Sequence, residues 1–239
     1  MSYGRIGVIG AMDSELAALI AALAQPARET VQGLAFHTGR LGAREVVLVR
    51  CGIGKVSAAR CTQVLIDRFA PAAVINTGIA GGLGAGLAVG DIVVADGLVQ
   101  HDFDAAPIGF VRGCLCMGDP GAPTVFTPDE PLSALLARTA GDAAGAQRVR
   151  RGLIATGDQF ISGAAAKAAL RRAFPSAMAA EMEGGAVAQA ASMSGVPFAV
   201  VRAISDLADG TAAASFEQFE QHAADISAAA VLQALALLD

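Results

Sequence analysis

Tryptophan is absent from this 239-residue chain, tyrosine occurs once, and charged residues make up only 16%. With a net charge of −5 and no long basic run, the chain lacks both the stacking aromatics and the cationic surface of a nucleic-acid binder. The four cysteines, Cys51, Cys61, Cys114 and Cys116, include no CxxC pair, and they read as reduced thiols of a cytosolic protein. His37, His101 and His222 are scattered without ligand spacing, which argues against a metal site. Neither Ser162 nor Ser205 has a visible His–Asp partnership, so a serine-hydrolase triad is not expected. No run approaches ~18 uninterrupted apolar residues, so no membrane span is expected. The apolar stretch Ile6–Ile9 is too short for the core of a secretion signal. These absences point to a cytoplasmic protein.

What is present is apolar material. Hydrophobic residues make up 54% of the chain, enough for one large core. Short β-branched runs alternate with Ala-rich stretches of helical spacing. Strands are predicted at Ile6–Ile9, Glu45–Val49, Ala73–Asn76, Asp91–Val99, Arg151–Ala155, Ala177–Ala180 and Pro197–Ala203, with a hairpin-like piece around Leu34–Arg40. Helices are predicted at Asp13–Leu23, Val56–Phe69, Pro131–Thr139, Ala164–Ala173, Gly184–Ser194 and Phe216–Leu238, the last capped by Ser215. This alternation predicts an α/β protein with a central sheet covered by helices. Gly78 to Gly90 and Gly118 to Pro128 read as loops within one domain, 1–239, because strand-like sequence resumes after each. The apolar C-terminal ISAAAVLQALALL reads as a packed helix at a subunit contact.

In an open α/β sheet, ligands sit at the carboxyl ends of strands. That rule selects Gly10–Glu15, Cys51–Lys55, Gly78–Gly82, Gly157–Ile161, Glu181–Glu183 and Ser205–Asp206. Glu15 and Glu183 read either as site carboxylates or as helix-start acids favoured by the macrodipole. Arg202 and Asp206 read either as site groups or as a structural ion pair. The segment Thr77-Gly78-Ile79-Ala80-Gly81-Gly82 lacks the Lys-Ser/Thr of a P-loop and the spacing of a dinucleotide loop. Its glycines suit close approach of backbone to a small ligand or to a neighbouring strand.

The segments IGVIGAMDSEL, CGIGKVSAA, INTGIAGGL, VGDIVVAD, RGLIATGDQFISG, EMEGGAVAQ, VPFAVVRAISDLAD and SFEQF, in this order and spacing, resemble bacterial 5'-methylthioadenosine/S-adenosylhomocysteine nucleosidases of the purine nucleoside phosphorylase-like superfamily. The resemblance spans nearly the whole chain. It implies a three-layer α/β/α fold with a central mixed sheet, nucleoside phosphorylase-like. It also implies a nucleoside substrate, no metal or organic cofactor, and a homodimer whose partner subunit closes the substrate's 5' end. By the same resemblance Asp206 protonates adenine N7, Glu15 activates water, Glu183 accepts ribose hydroxyls beside the Met182 backbone, and Arg202 orients water and carboxylates. Phe160 stacks on adenine and Ile161 offers its backbone. Met12, Ile53 and Phe216 form apolar walls, and Ile79 and Ser205 lie in the same pocket. The chain departs from the family pattern at Ile79, where Ser is usual, which disfavours phosphate binding. It departs again in HDFDAAPIGFVRGCLCMGDPG, the segment aligned with the partner-reaching region, where Ala105 and Ile108 replace bulkier groups. The rival readings are a phosphorylase of the same superfamily, a hydrolase of a futalosine-type nucleoside, and a non-catalytic nucleoside sensor.

Overall fold

The computed structural model describes residues 4–116 and 118–238; Met117, within the second departing segment, lies outside the described residues. Ten strands form one mixed sheet: β1 (Ile6–Gly10), β2 (Ala24–Val31), β3 (Leu34–Leu41), β4 (Arg44–Arg50), β5 (Ala73–Gly82), β6 (Ile92–Gln100), β7 (Val125–Phe126), β8 (Val149–Thr156), β9 (Ala177–Glu181) and β10 (Phe198–Asp206). Six α-helices accompany them: α1 (Asp13–Ala21), α2 (Lys55–Phe69), α3 (Glu130–Ala144), α4 (Ala164–Ala173), α5 (Gly184–Met193) and α6 (Ala212–Leu237). The expected α/β class and mixed central sheet are therefore what the chain adopts.

The sheet is not flat. From β5 it runs through β10, β6, β8 and β9, and then returns to β5, where Gly81 and Gly82 pair with Ala180 and Ala179. Five strands thus close into a ring, and β1, β4, β3 and β2 extend from β5 as a tail. β5 serves both parts: it pairs with β1 and β10 in parallel and with β9 antiparallel.

Strand alternation decides which helices cover which face. Ile6 and Val8 of β1, Ile75 of β5 and Ala199, Val201 and Ala203 of β10 pack with α1, α3 and α6. Ile9, Val74, Phe198 and Val200 point the other way, toward Cys61 and Leu65 of α2 and Ala186 to Ala191 of α5. Strands buried on both faces read as continuous apolar runs, which is why β1, β4, β5 and β10 are recognisable without context. Helix α4 with Leu170, and Phe174 just beyond its end, covers the ring's side against Val99, Ala155 and Ala208. Among the described residues no helix is long and apolar enough to cross a membrane.

Four expectations are corrected. Residues Gly78 to Gly82 are strand, not loop, because β9 and β10 both pair with them. Val125–Phe126, inside the second expected loop, adds a short strand to β6. Strand β2, AQPARETV, was not anticipated: it is an exposed edge strand with Pro26 and a register shift, so it carries neither alternation nor an apolar run. Helix α6 starts at Ala212, with Thr211 at its N-cap position, so Ser215 lies inside the first turn.

Candidate active site

The carboxyl ends of β1, β5, β8, β9 and β10 meet around one cleft. Its free space is about 640 Å³ including the open mouth, within the ~300–1,000 Å³ of small-molecule sites. Met12, Glu15, Ile53, Ile79, Phe160, Ile161, Met182, Glu183, Ser205, Asp206 and Phe216 all line it. Of the residues singled out from the sequence, only Arg202 does not.

Glu15 stands in the first turn of α1. Its Oε2 accepts the N–H groups of Ala11, at 2.6 Å, and Met12, at 3.0 Å, and its Oε1 accepts that of Ile79 at 3.1 Å. The helix-start reading and the site reading are thus both met by one carboxylate, which caps α1 and faces the cleft. Ile79 contributes its backbone N–H while its side chain packs in the core. Burial raises the Glu15 pKa, with the Arg202 charge and the three N–H groups opposing.

Glu183 sits at the N-cap position of α5, and its Oε1 accepts the Gly54 N–H at 2.8 Å. Burial and the adjacent negative charge of Glu181 push its pKa up to about 7. Asp206 ends β10. Its Oδ1 accepts the Ala208 N–H at 2.8 Å and its Oδ2 the Ser205 hydroxyl at 2.9 Å. Burial raises this carboxyl as well, although those two donors oppose it.

Arg202 does not pair with Asp206. Its guanidinium, 1% exposed, donates to Glu181 Oε2 at 2.6 Å and to the Asn76 carbonyl at 3.2 Å. Glu181, which the strand-end rule selected but to which no role was assigned, also accepts the Gly184 N–H at 2.6 Å and the Thr156 hydroxyl. Among the described residues, Arg202 is the one cation bonded to this set of acids, and Glu181 takes it. Glu15, Glu183 and Asp206 are left facing the cleft, where no Lys, Arg or His side chain lines the wall.

The loop after β8 is positioned by a second group, Lys55 and Asp158 from the selected strand ends together with Asp102, which the sequence did not single out. Asp102 accepts the Lys55 ammonium at 2.6 Å and the Asp158 N–H at 2.9 Å, and Asp158 accepts the Lys55 N–H at 2.7 Å. This ring of three contacts ties the ends of β6 and β8 to the start of α2, next to the Gly54 N–H that holds Glu183. The paired carboxylates and Lys in GIGK, HD and GDQF were its only sequence signal. Beyond it, Phe160 meets Phe216 edge to face, with centroids 5.7 Å apart at 88°. The two rings make one apolar wall of the cleft.

A ring-closed mixed sheet thus carries, at its strand ends, a carboxylate-rich cleft that no Lys, Arg or His among the described residues lines. A family model described as the phosphorylase superfamily matches residues 5–236. The chain is 42% identical over 235 residues to the 5'-methylthioadenosine/S-adenosylhomocysteine nucleosidase of Actinobacillus succinogenes, covering 98% of this chain and 100% of that one. The crystal structure of the S-adenosylhomocysteine nucleosidase from Streptococcus pyogenes, in complex with 5-methylthiotubericidin, superimposes with a TM-score of 0.92 at 39% identity, covering 100% of this chain and 99% of that one. The futalosine hydrolase of Helicobacter pylori superimposes with a TM-score of 0.87 at 32% identity, covering 97% of each chain. The chain belongs to the 5'-methylthioadenosine/S-adenosylhomocysteine nucleosidase family within that superfamily.

Proposed function

We propose that the chain hydrolyses the N-glycosidic bond of 5'-methylthioadenosine and S-adenosylhomocysteine, releasing adenine and the 5-thio-substituted ribose. What supports this reading is the cleft's charge: four acidic residues line it, Glu15, Glu181, Glu183 and Asp206, of which Glu181 is paired with Arg202, and among the described residues no Lys, Arg or His does. Such a wall suits an oxocarbenium-like sugar as adenine departs and repels a phosphate anion. It therefore favours water over phosphate as the nucleophile, in keeping with Ile79 in place of a hydroxyl.

Adenine is a poor leaving group until N7 gains a proton. Asp206, raised by burial, supplies it, and Ser205 and Ala208 hold the carboxyl in place. As C1'–N9 breaks, its electron pair leaves with adenine, and the positive charge on the sugar is stabilised by Glu15 and Glu183. Glu15 takes one proton from water, whose oxygen bonds to C1'. The proton lost by Asp206 and the one gained by Glu15 balance when the site resets. Glu183 accepts the ribose hydroxyls beside Met182. Phe160 stacks on the base and Ile161 bonds it through the backbone. Met12, Ile53 and Phe216 enclose the sugar and the 5' group. Arg202 acts one step back, orienting the carboxylates through Glu181.

The protein works as one domain, in the cytoplasm, and as a homodimer. Ile53, which lines the cleft, and Val56 and Ile108 elsewhere are exposed apolar side chains, at 59%, 81% and 73%, of the kind a second subunit would cover. Light scattering of the purified chain should give twice the monomer mass. The function is tested by adenine release from methylthioadenosine, S-adenosylhomocysteine, adenosine and futalosine, each with and without phosphate. Phosphate-independent release, fastest with the thio-nucleosides, is expected. Dependence on phosphate, or preference for futalosine, would overturn the reading.

A further inference from the structure

Helix α4 carries a lysine where a helix tolerates one least. Lys167 lies in the first full turn, four residues after the Gly163 N-cap, where the helix dipole opposes a cation. Arg171 follows one turn later with the same charge. The side chain is also partly buried, and burial disfavours the ammonium. Three local costs fall on one residue, so a compensating interaction is expected.

That interaction is a bridge. The ammonium donates to the Gly82 carbonyl at 2.9 Å and to the Leu207 carbonyl at 2.6 Å. Gly82 is the last residue of β5, and Leu207 is the first beyond β10. Between these strands the parallel register shifts: Ile204 faces Ala80, whereas Asp206 faces Gly81. Ser205 is the extra residue, and the ladder is interrupted where Asp206 leaves it. The chain then passes through Ala208, fully buried and left-handed at φ 51°, a conformation alanine keeps only when its surroundings hold it. The Ala208 N–H is the donor that orients Asp206 Oδ1. Lys167 thus spans the interruption from the side and pins both strand ends around the acid.

We propose that Lys167 is a positioning residue for Asp206, its ammonium clamping the ends of β5 and β10 so that the Ala208 turn holds the carboxyl toward the cleft. The proposal rests on Asp206 being the acid of the reaction proposed above. The charged groups around that carboxyl are Lys167 from α4 and Asp209 from the turn after β10; Arg171 and Asp209 in turn face Lys167. The ammonium favours the ionised form of Asp206, and Asp209 opposes it.

The test compares the full-length chain with Lys167→Met, Lys167→Gln and Lys167→Arg. The Asp206 carboxyl is titrated by carbon NMR, its signal identified by loss in Asp206→Asn. In Lys167→Met, and in Lys167→Gln should the first fold poorly, the Asp206 midpoint should rise, and the basic limb of the kcat profile should move to higher pH with it. At neutral pH kcat should fall between about tenfold and a hundredfold, with KM changed less than about twofold. Lys167→Arg should restore both. An unmoved Asp206 midpoint with only a lower melting temperature would reduce Lys167 to a helix anchor and overturn the proposal. Wild-type protein that releases no adenine would sink the nucleosidase reading instead, and the titration would still decide whether Lys167 governs Asp206.

Discussion

Gly78 lacks a side chain where Glu15 places its carboxyl: a Cβ at position 78 would lie 2.4 Å from Glu15 Oε1. The same device recurs at Gly81, where a Cβ would stand 3.0 Å from Asp206 Oδ1. The glycines of the TGIAGG segment therefore make room for two of the cleft carboxyls.

Gly78→Ala should displace the Glu15 carboxylate from the Ile79 N–H. Misplacing a reacting group by about an ångström costs on the order of 10²-fold, so kcat for adenine release should fall by that order. Steady-state kinetics on the folded variant check this; undiminished kcat would mean that the Glu15 carboxylate is free to move without consequence.

Asp206→Asn keeps the shape and loses the proton. The variant should keep its circular dichroism spectrum while kcat drops by about 10²–10⁴-fold, the usual worth of a general acid. Normal turnover would remove Asp206 from the acid role.

Glu183 should set part of the acid limb of the activity profile. In the role proposed for it, accepting ribose hydroxyls and stabilising the positive sugar, Glu183 works best ionised, and burial with Glu181 beside it holds its pKa at about 7. Activity should thus decline as pH falls below about 7, well above the ordinary carboxylate range. Stability has the opposite sign, because the folded state binds this proton more tightly than the unfolded chain. That contribution is complete below pH 4.5 and is lost as pH rises through about 7. Glu183→Gln should therefore melt higher than wild type at pH 8, with the gap closing toward pH 4.5, while kcat/KM falls. Melting curves across that range decide the point.

Ile79→Ser should separate packing from chemistry. The side chain is 8% exposed within the core, so stability should drop by about 2–4 kcal/mol. The contact to Glu15 is through the backbone N–H, so adenine release should persist. Complete loss of activity in a folded Ile79→Ser protein would show that the apolar side chain shapes the site.

Much of the fold was legible in the sequence because its strands are buried on both faces. Ile6–Ile9 and Ala73–Asn76 need no partner to be recognised as strands, and Ala164–Ala173 was bounded by Gly163 and Phe174 as the helix is. The exposed edge strand at Ala24–Val31 carries no comparable pattern, and its pairing with β3 alone makes it a strand. For the site, the strand-end rule and the resemblance together select residues that the structure gathers around one cleft. They do not reveal which carboxylate takes the arginine. Glu181 and Glu183 stand two residues apart in EME, and either would be a sensible partner for Arg202 on paper.

The sequence by itself determined the α/β alternation, the absence of a basic or aromatic nucleic-acid surface, and the set of carboxylates from which a hydrolytic site can be built, since these depend on residue type and local spacing. Only the tertiary structure decided that β5 closes a ring with β9, that Glu181 consumes Arg202 and leaves Glu15, Glu183 and Asp206 facing an uncharged-to-acidic cleft, and that Lys167 reaches the strand ends beside the acid. Those outcomes depend on distances between segments far apart in the chain. Burial and charge at a point in space are the sum of every segment that arrives there, and no single stretch of sequence contains that sum.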